Sequence, residues 1–280
     1  MTSTDKPSGG PTFAMLCCAN GAETPVKESI AREGWRLAFS RPGFVTAKHD
    51  GQVDLPSGTF IRTASFSLGH LKNADGEQQL AGLAELLDDK CPDGRPFDQI
   101  HVWPRDRLPI GKFGFEPGVD EVSNLVARRL EETLAANWLG CEQANCVAES
   151  GERVLDVVLV DPSDWFVGWH TAMDWHSKWP GGVQPIDPAY EPISRAYYKA
   201  AESIAWSGFD VAPGDVAIEV GSAPGGACGR MLELGLNVIG IDPAEMDQRI
   251  ANHPRFKHYR ARAGDLPRKV FRGAKWLLAD

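Results

Sequence analysis

Eight residues, Glu219-Val220-Gly221-Ser222-Ala223-Pro224-Gly225-Gly226, and an acid further on, Asp242, have the types and spacing to hold a small polar ligand. An apolar run, Val216 to Val220, predicts a buried strand carrying Glu219 near its end. A Gly/Pro turn follows, then a helix from about Ala227 to Leu234. A second apolar strand, Val238 to Ile241, delivers Asp242. Glycine lets backbone approach a ligand without a Cβ clash. The start of the helix offers free N–H groups at the positive end of its dipole. Asp242 lies 21 residues beyond Gly221, about where an acid meets ribose hydroxyls in doubly wound nucleotide-binding folds. A tight turn that merely needs glycine is the plainer alternative. Strand, loop, helix, strand and acid in register favour ligand binding.

The loop also discriminates between ligands. A dinucleotide fold uses G-x-G-x-x-G, whose middle glycine admits the pyrophosphate. Here Ala223 and Pro224 occupy that region. S-adenosylmethionine carries no phosphate and makes no such demand. Asp242 would suit the ribose of NAD as well, so an oxidoreductase stays among the alternatives.

The segment Gly221-Ser222-Ala223-Pro224-Gly225-Gly226 resembles the G-A-A/C-P-G-G loop of FtsJ-like ribosomal RNA 2′-O-ribose methyltransferases. Upstream, Ser194-Arg195-Ala196-Tyr197-Tyr198-Lys199 resembles their S-R-x-x-x-K segment, and Lys199 lies 20 residues before Glu219. Downstream, Trp276-Leu277-Leu278-Ala279-Asp280 resembles the strand that ends in their catalytic aspartate. With a large N-terminal region ahead, the chain is most similar to the ribosomal RNA large subunit methyltransferase M type. The motifs span Ser194 to Asp280, and the resemblance over the first 190 residues is looser.

The resemblance implies a Rossmann-like α/β methyltransferase domain behind an α+β, THUMP/ferredoxin-like RNA-binding region. It implies S-adenosylmethionine as cofactor, held by Glu219, Gly221, Ser222, Ala223, Pro224, Gly225, Gly226, Asp242 and Asp265. Asp265 would bond the adenine amino group, Glu219 would approach the methionine amino group, and Met246 would pack on adenine or in the core. Lys199 and Asp280 would be catalytic. The implied reaction is 2′-O-methylation of a ribose, of a cytidine by resemblance, in large-subunit (23S) ribosomal RNA. A ribose hydroxyl is a poor nucleophile, so alignment with the sulfonium methyl supplies much of the rate. A lysine steers or takes the proton when burial or nearby cations lower its pKa, and an aspartate orients it.

There are departures from the family pattern. Glu219 stands where the family usually has Asp, and Ala227 replaces an aromatic residue. The family's catalytic set is Lys-Asp-Lys-Glu, and its last two members would fall beyond Asp280. The expectation is therefore a truncated sequence, inactive as it stands. A noncatalytic RNA-binding protein with a degenerate cofactor domain is the alternative. Ala223-Pro224 and the spacing of Lys199 weigh against an oxidoreductase.

Charge separates the two ends. Residues 1–190 carry 17 basic and 27 acidic side chains, and residues 191–280 carry 12 and 11. Arg249 to Lys275 holds nine basic residues against Asp265 alone, with Phe256, His258 and Tyr259 interleaved. Cations neutralise phosphates and rings stack on bases, so Arg255, Lys257, Arg260 and Arg262 are candidate RNA contacts. A solvated basic surface is the usual alternative. The acidic N-terminal part suits recognition of a particular RNA shape better than tight nonspecific binding.

The six cysteines form no C-x-x-C pair, and His170 and His176 complete no metal pattern. With no export signal, free thiols, a cytoplasmic location and neither membrane nor metal partner are expected. A monomer is the default. Along the chain the pattern predicts strands at Phe13–Ala19, Trp35–Phe39, Phe44–Lys48, Thr59–Phe66, Ile100–Trp103 and Val154–Val160. It predicts helices from Thr24 to Gly34, Glu77 to Leu87 and Val119 to Leu139, the last with Val122, Leu125, Val126, Leu130 and Leu134 on one face. The expected organisation is a polar lead at 1–12, an RNA-binding region at 13–170, a Trp/Pro-rich linker at 171–192 and the methyltransferase part at 193–280.

Overall fold

The structure is a computed structural model, and it describes residues 11–72, 76–91, 94–134, 137–173 and 176–279. The chain divides into two compact units, with the boundary between Pro185 and Ile186.

The first unit is built on a seven-stranded sheet. Its strands are β1 (Thr12–Cys17), β2 (Arg36–Arg41), β3 (Phe44–His49), β4 (Thr63–Lys72), β5 (Gln99–Pro104), β6 (Arg153–Asp161) and β7 (Asp164–Thr171), in the order β2-β3-β1-β4-β7-β6-β5. Every neighbouring pair is antiparallel except β5 and β6. The helices are α1 (Glu23–Arg32), α2 (Gly76–Lys90) and α3 (Glu121–Leu134). Period-two alternation puts Leu155, Val157 and Leu159 of β6 in the core with α2 and α3, while Val158 and Val160 face Met15, Phe44 and Phe166. Both faces of the strand are thus apolar.

Three expectations change here. The sequence pattern marks no strand over 164–171, where β7 runs, and Trp165 and Trp169 are core residues of that strand. Further on, Trp179 is buried and Gly181 lies against Trp103, so these residues pack within the first unit. Trp175 lies outside the described residues. Helix α3 buries only part of the expected face, Leu130 and Leu134. Ser123, Ala127, Leu130 and Leu134 are buried, whereas Val122 and Leu125 are exposed. Asp120 and Ser123 bond each other reciprocally and fix the start of the helix. His170 is a buried structural residue, with Nδ1 2.5 Å from Asp156 Oδ2. Asp156 also accepts a hydrogen bond from Ser65 Oγ.

The second unit is a parallel α/β sheet. Its strands are β8 (Val216–Val220), β9 (Asn237–Ile241), β10 (Phe256–Tyr259) and β11 (Trp276–Ala279), in the order β10-β9-β8-β11. All three pairings are parallel. The helices are α4 (Ala196–Ser207), α5 (Gly226–Glu233) and α6 (Gln248–Ala251). Cys228, Met231 and Leu232 of α5 pack with Ala217, Leu236, Val238 and Ile250 to form the core. Because β11 lies on the far side of β8 from β9, the order reverses between β8 and β11. Ligands of open α/β sheets sit at such a reversal, outside the carboxyl ends of the strands.

Candidate functional site

The loop that leaves β8 is shaped by backbone that only glycine adopts readily. Gly221 has φ +81° and Gly225 has φ +116°. The Gly221 N–H donates to Ile241 O at 3.0 Å, tying the loop to the end of β9. The Ala223–Pro224 peptide is cis. Gly225 caps α5, and a Cβ there would meet Ile250 Cγ1 at 2.9 Å and Met246 Cε at 3.0 Å. A Cβ on Gly226 would collide with Ser194 Oγ. The segment around Ser194 therefore passes directly over the start of α5.

Asp242 stands at the end of β9, and its carboxylate shapes the loop. Oδ2 accepts the Ala223 N–H at 3.0 Å, and Oδ1 accepts the Ala244 N–H at 2.7 Å. A carboxylate has about four lone-pair directions, so each oxygen keeps one for a ligand hydroxyl. Ser222 is buried and its Oγ donates to Met246 Sδ at 3.6 Å. Met246 itself packs against the core beside Gly225.

On the other side of β8, a cavity of about 370 Å³ opens between α4 and β11. Lys199 and Ser203 of α4, Glu219 of β8, Ala227 of α5 and Leu278 and Ala279 of β11 line it. Lys199 and Glu219 therefore share one cavity, at the reversal of strand order. Glu219 is only 3% exposed and accepts a hydrogen bond from Cys228 Sγ at 2.8 Å. Burial, and then the Glu219 charge, push the Cys228 thiol well above the ordinary range. A second network holds α4 on α5. The Tyr197 hydroxyl donates to Glu233, and Arg230 Nη1 reaches Glu233 Oε2 at 3.0 Å. Burial and the Glu233 bond push Tyr197 up to about 12. This network sets the position of Lys199, two residues along the helix from Tyr197.

Other expected site residues are placed differently. Strand β10 ends at Tyr259, so Asp265 is not at its end; it lies exposed in a short turn at Ala263–Asp265. Asp280 lies outside the described residues, though Ala279 pairs with Val220 in register. The four candidate RNA contacts are not one cluster. Arg255 precedes β10, and its Nη1 donates to Gly235 O, at the amino ends of the strands and opposite the glycine loop. Lys257 lies 4.6 Å over the Tyr259 ring. Arg260 is at the carboxyl end of β10, where Glu245 partly offsets its charge at 3.0 Å. Arg262 is exposed beyond it. Sequence reasoning counted Cys228 only as a free thiol. No spacing rule ties a helix cysteine to an acid nine residues earlier.

Among the described residues, no group of three or more His, Cys, Asp or Glu side chains could hold a metal ion. No helix among them is long and apolar enough to cross a membrane.

No protein-family model matches the chain. The Ribosomal RNA large subunit methyltransferase M of Laribacter hongkongensis is 30% identical over 97 residues, 31% of this chain. The match takes in only 26% of that relative's length. Among solved structures, a possible methylase from Clostridium difficile 630 aligns over 96% of this chain and 76% of its own, with a TM-score of 0.37 and 12% identity. TrmN from Thermus thermophilus aligns over 92% and 75%, with a TM-score of 0.36 and 17% identity.

Proposed function

We propose that the second unit is the cofactor-binding part of an S-adenosylmethionine-dependent RNA methyltransferase. The observation that carries this reading is the parallel β10-β9-β8-β11 sheet, with the glycine loop clamped by Asp242 beside a cavity that Lys199 and Glu219 line. The partial identity with a ribosomal RNA methyltransferase supports it. The residues fit the cofactor: Asp242 keeps acceptor capacity for ribose hydroxyls, and Ala223-Pro224 removes a phosphate-hugging glycine that this ligand does not need. The cavity volume is within the range of small-molecule sites. When bound, S-adenosylmethionine supplies a methyl group activated on a sulfonium.

The chain's own residues then have distinct parts. Gly225 and Gly226 leave the room at the start of α5 that Ile250, Met246 and the segment around Ser194 occupy. Asp242 orients the loop and offers its remaining lone pairs to the nucleoside. Glu219, held by the Cys228 thiol, presents a buried acid toward the amino group of the methionine moiety. Lys199 reaches the same cavity from α4, where it would hold the acceptor hydroxyl and steer its proton, with Asp280 orienting the amine. Asp265 would bond the adenine amino group. Arg260 and Arg262, at the carboxyl end of β10, are the better placed of the candidate RNA contacts.

The finer reading is transfer to a ribose 2′-hydroxyl of large-subunit ribosomal RNA, with the first unit as a THUMP-like RNA-binding region. Incubation with tritiated S-adenosylmethionine and large-subunit ribosomal RNA tests it, and no transfer at all is the result expected if the second Lys and the Glu of the family's catalytic set are required. Label recovered in an alkali-resistant dinucleotide supports a 2′-hydroxyl acceptor, because that linkage survives only when the 2′ oxygen is blocked. Label recovered on a base overturns the acceptor and leaves the cofactor assignment standing.

A further inference from the structure

The connection between β5 and α3, residues 105–120, presents a ring to solvent. Phe113 is 88% exposed. Its φ of +54° lies in the left-handed region, which a bulky L-residue rarely adopts. Ordered backbone holds it there. The Gly111 N–H donates to Phe115 O at 2.7 Å, the Lys112 N–H to Pro109 O at 3.0 Å and the Gly114 N–H to Gly111 O at 3.3 Å. Gly111 and Gly114, at φ +80° and +77°, supply the turns on either side. Strain is thus spent to hold an aromatic ring away from the core, the reverse of what folding alone favours.

One cation lies beside the ring, and the loop carries two more. Lys112 Nζ lies 5.5 Å from its centroid. Arg107 is exposed at the base of the loop, and its carbonyl accepts a hydrogen bond from Asn20 Nδ2. Arg105 pins that base through Nε to Val160 O and Nη1 to Pro42 O. Of the three acids in the loop, Asp106 is buried in a two-pronged ion pair with Arg62, so its charge does not face the tip, Asp120 is exposed and accepts the Ser123 N–H at the start of α3, and Glu116 is exposed. A protein-binding patch is depleted of lysine at its centre. An exposed ring with a lysine beside it and an exposed arginine in the same loop matches instead the way proteins grip a single strand, one base on the ring and the neighbouring phosphates on cations.

We propose that this loop is a binding site for single-stranded RNA, in which Phe113 stacks on an unpaired base while Lys112 and Arg107 contact the flanking phosphates. The proposal deepens the RNA-substrate reading given above and rests on it for the class of nucleic acid. The site is confined to the first unit.

The test is fluorescence anisotropy of a labelled oligouridine titrated with the full chain at low salt. Phe113→Ala weakens binding about tenfold, from the loss of one base–aromatic stack. Phe113→Trp retains wild-type affinity, and Phe113→Leu, which keeps apolar bulk but has no π face, behaves like Phe113→Ala. Lys112→Ala lowers the slope of log affinity against log salt by about 0.7. Because Phe113 is exposed, these variants keep the wild-type melting temperature. Wild-type affinity in Phe113→Ala overturns the proposal. So does wild-type affinity in Phe113→Leu, which would mark an apolar contact of the kind a protein partner makes, or no binding of the oligonucleotide by the wild-type chain. Titration of the same samples with S-adenosylmethionine separates the two readings. Phe113-dependent RNA binding in a chain that binds no S-adenosylmethionine removes the methyltransferase and keeps the loop. Cofactor binding with indifferent Phe113 variants does the opposite.

Discussion

Cys228→Ala asks whether the buried acid of the site is wired as the structure has it. Glu219 is buried, and the Cys228 thiol donates to its Oε2 at 2.8 Å. Removing a donor from a buried charged acceptor costs about 1.5–3 kcal/mol. Loss of the sulfur from a fully buried position adds about 1 kcal/mol. The single substitution should therefore destabilise the second unit by about 2–4 kcal/mol. Cys228→Ser retains a donor and should recover more than half of that. The informative quantity is the coupling. In a Glu219→Gln background the acceptor is uncharged, and Cys228→Ala should cost about 1–2 kcal/mol less than in the wild type. Urea unfolding followed by tryptophan fluorescence, with Trp206 and Trp276 as reporters in this unit, gives all four corners of the cycle. A coupling within about 0.3 kcal/mol of zero would refute the reasoning, because the thiol would then be filling space and not holding the carboxylate.

Other consequences follow from the same geometry. With its thiol held above the ordinary range by burial and by Glu219, Cys228 should resist iodoacetamide at pH 8.5 in the folded chain and react once urea is added; mass spectrometry of the peptide containing Cys228 decides. Gly225→Ala combines a φ of +116° with a Cβ at 2.9 Å from Ile250, and should lower the stability of the second unit by about 2–4 kcal/mol in the same unfolding assay; a loss below about 1 kcal/mol would mean that the loop relaxes freely. His101 is buried, with Nε2 against Cys146 O, and burial lowers it to about 4 from 6.5. The folded chain therefore binds its proton less readily than the unfolded one, so its contribution is present above pH 6.5 and lost as pH falls toward 4. Between pH 6.5 and 4.5 the wild type should lose about 2–3 kcal/mol more than His101→Gln, read from urea midpoints at each pH. His170 runs the other way: it is raised by the Asp156 charge against the opposing effect of burial, so its contribution holds below pH 6.5 and fades as pH rises.

The parallel βαβ part of the second unit was legible because its signals are local. A strand, a glycine loop and an acid at the next strand end follow from residue types at fixed offsets, and the parallel register of β8 and β9 brings Asp242 to Ala223. What was not legible depends on tertiary packing. Strand β7 has apolar residues on both faces, so it lacks the alternation that marks a half-buried strand. The apolar face read for α3 is buried only at Leu130 and Leu134, because its first turns bring the smaller Ser123 and Ala127 inward and leave Val122 and Leu125 exposed. The basic run from Arg249 to Lys275 is continuous in sequence but divided by β10, which sends Arg255 to one end of the sheet and Arg260 to the other. Lys199 and Glu219 share a cavity only because α4 packs on α5 through Tyr197, Arg230 and Glu233.

The central claim, a pocket for S-adenosylmethionine on the second unit, is tested most directly by calorimetric titration of the chain with S-adenosylmethionine and, separately, with NAD. Saturable binding of S-adenosylmethionine alone is expected, weakened at least tenfold in Asp242→Asn, which keeps the shape of the side chain but removes the charge that the Ala223 and Ala244 amides face. Binding of NAD in preference, or S-adenosylmethionine affinity that is indifferent to Asp242, would contradict the account.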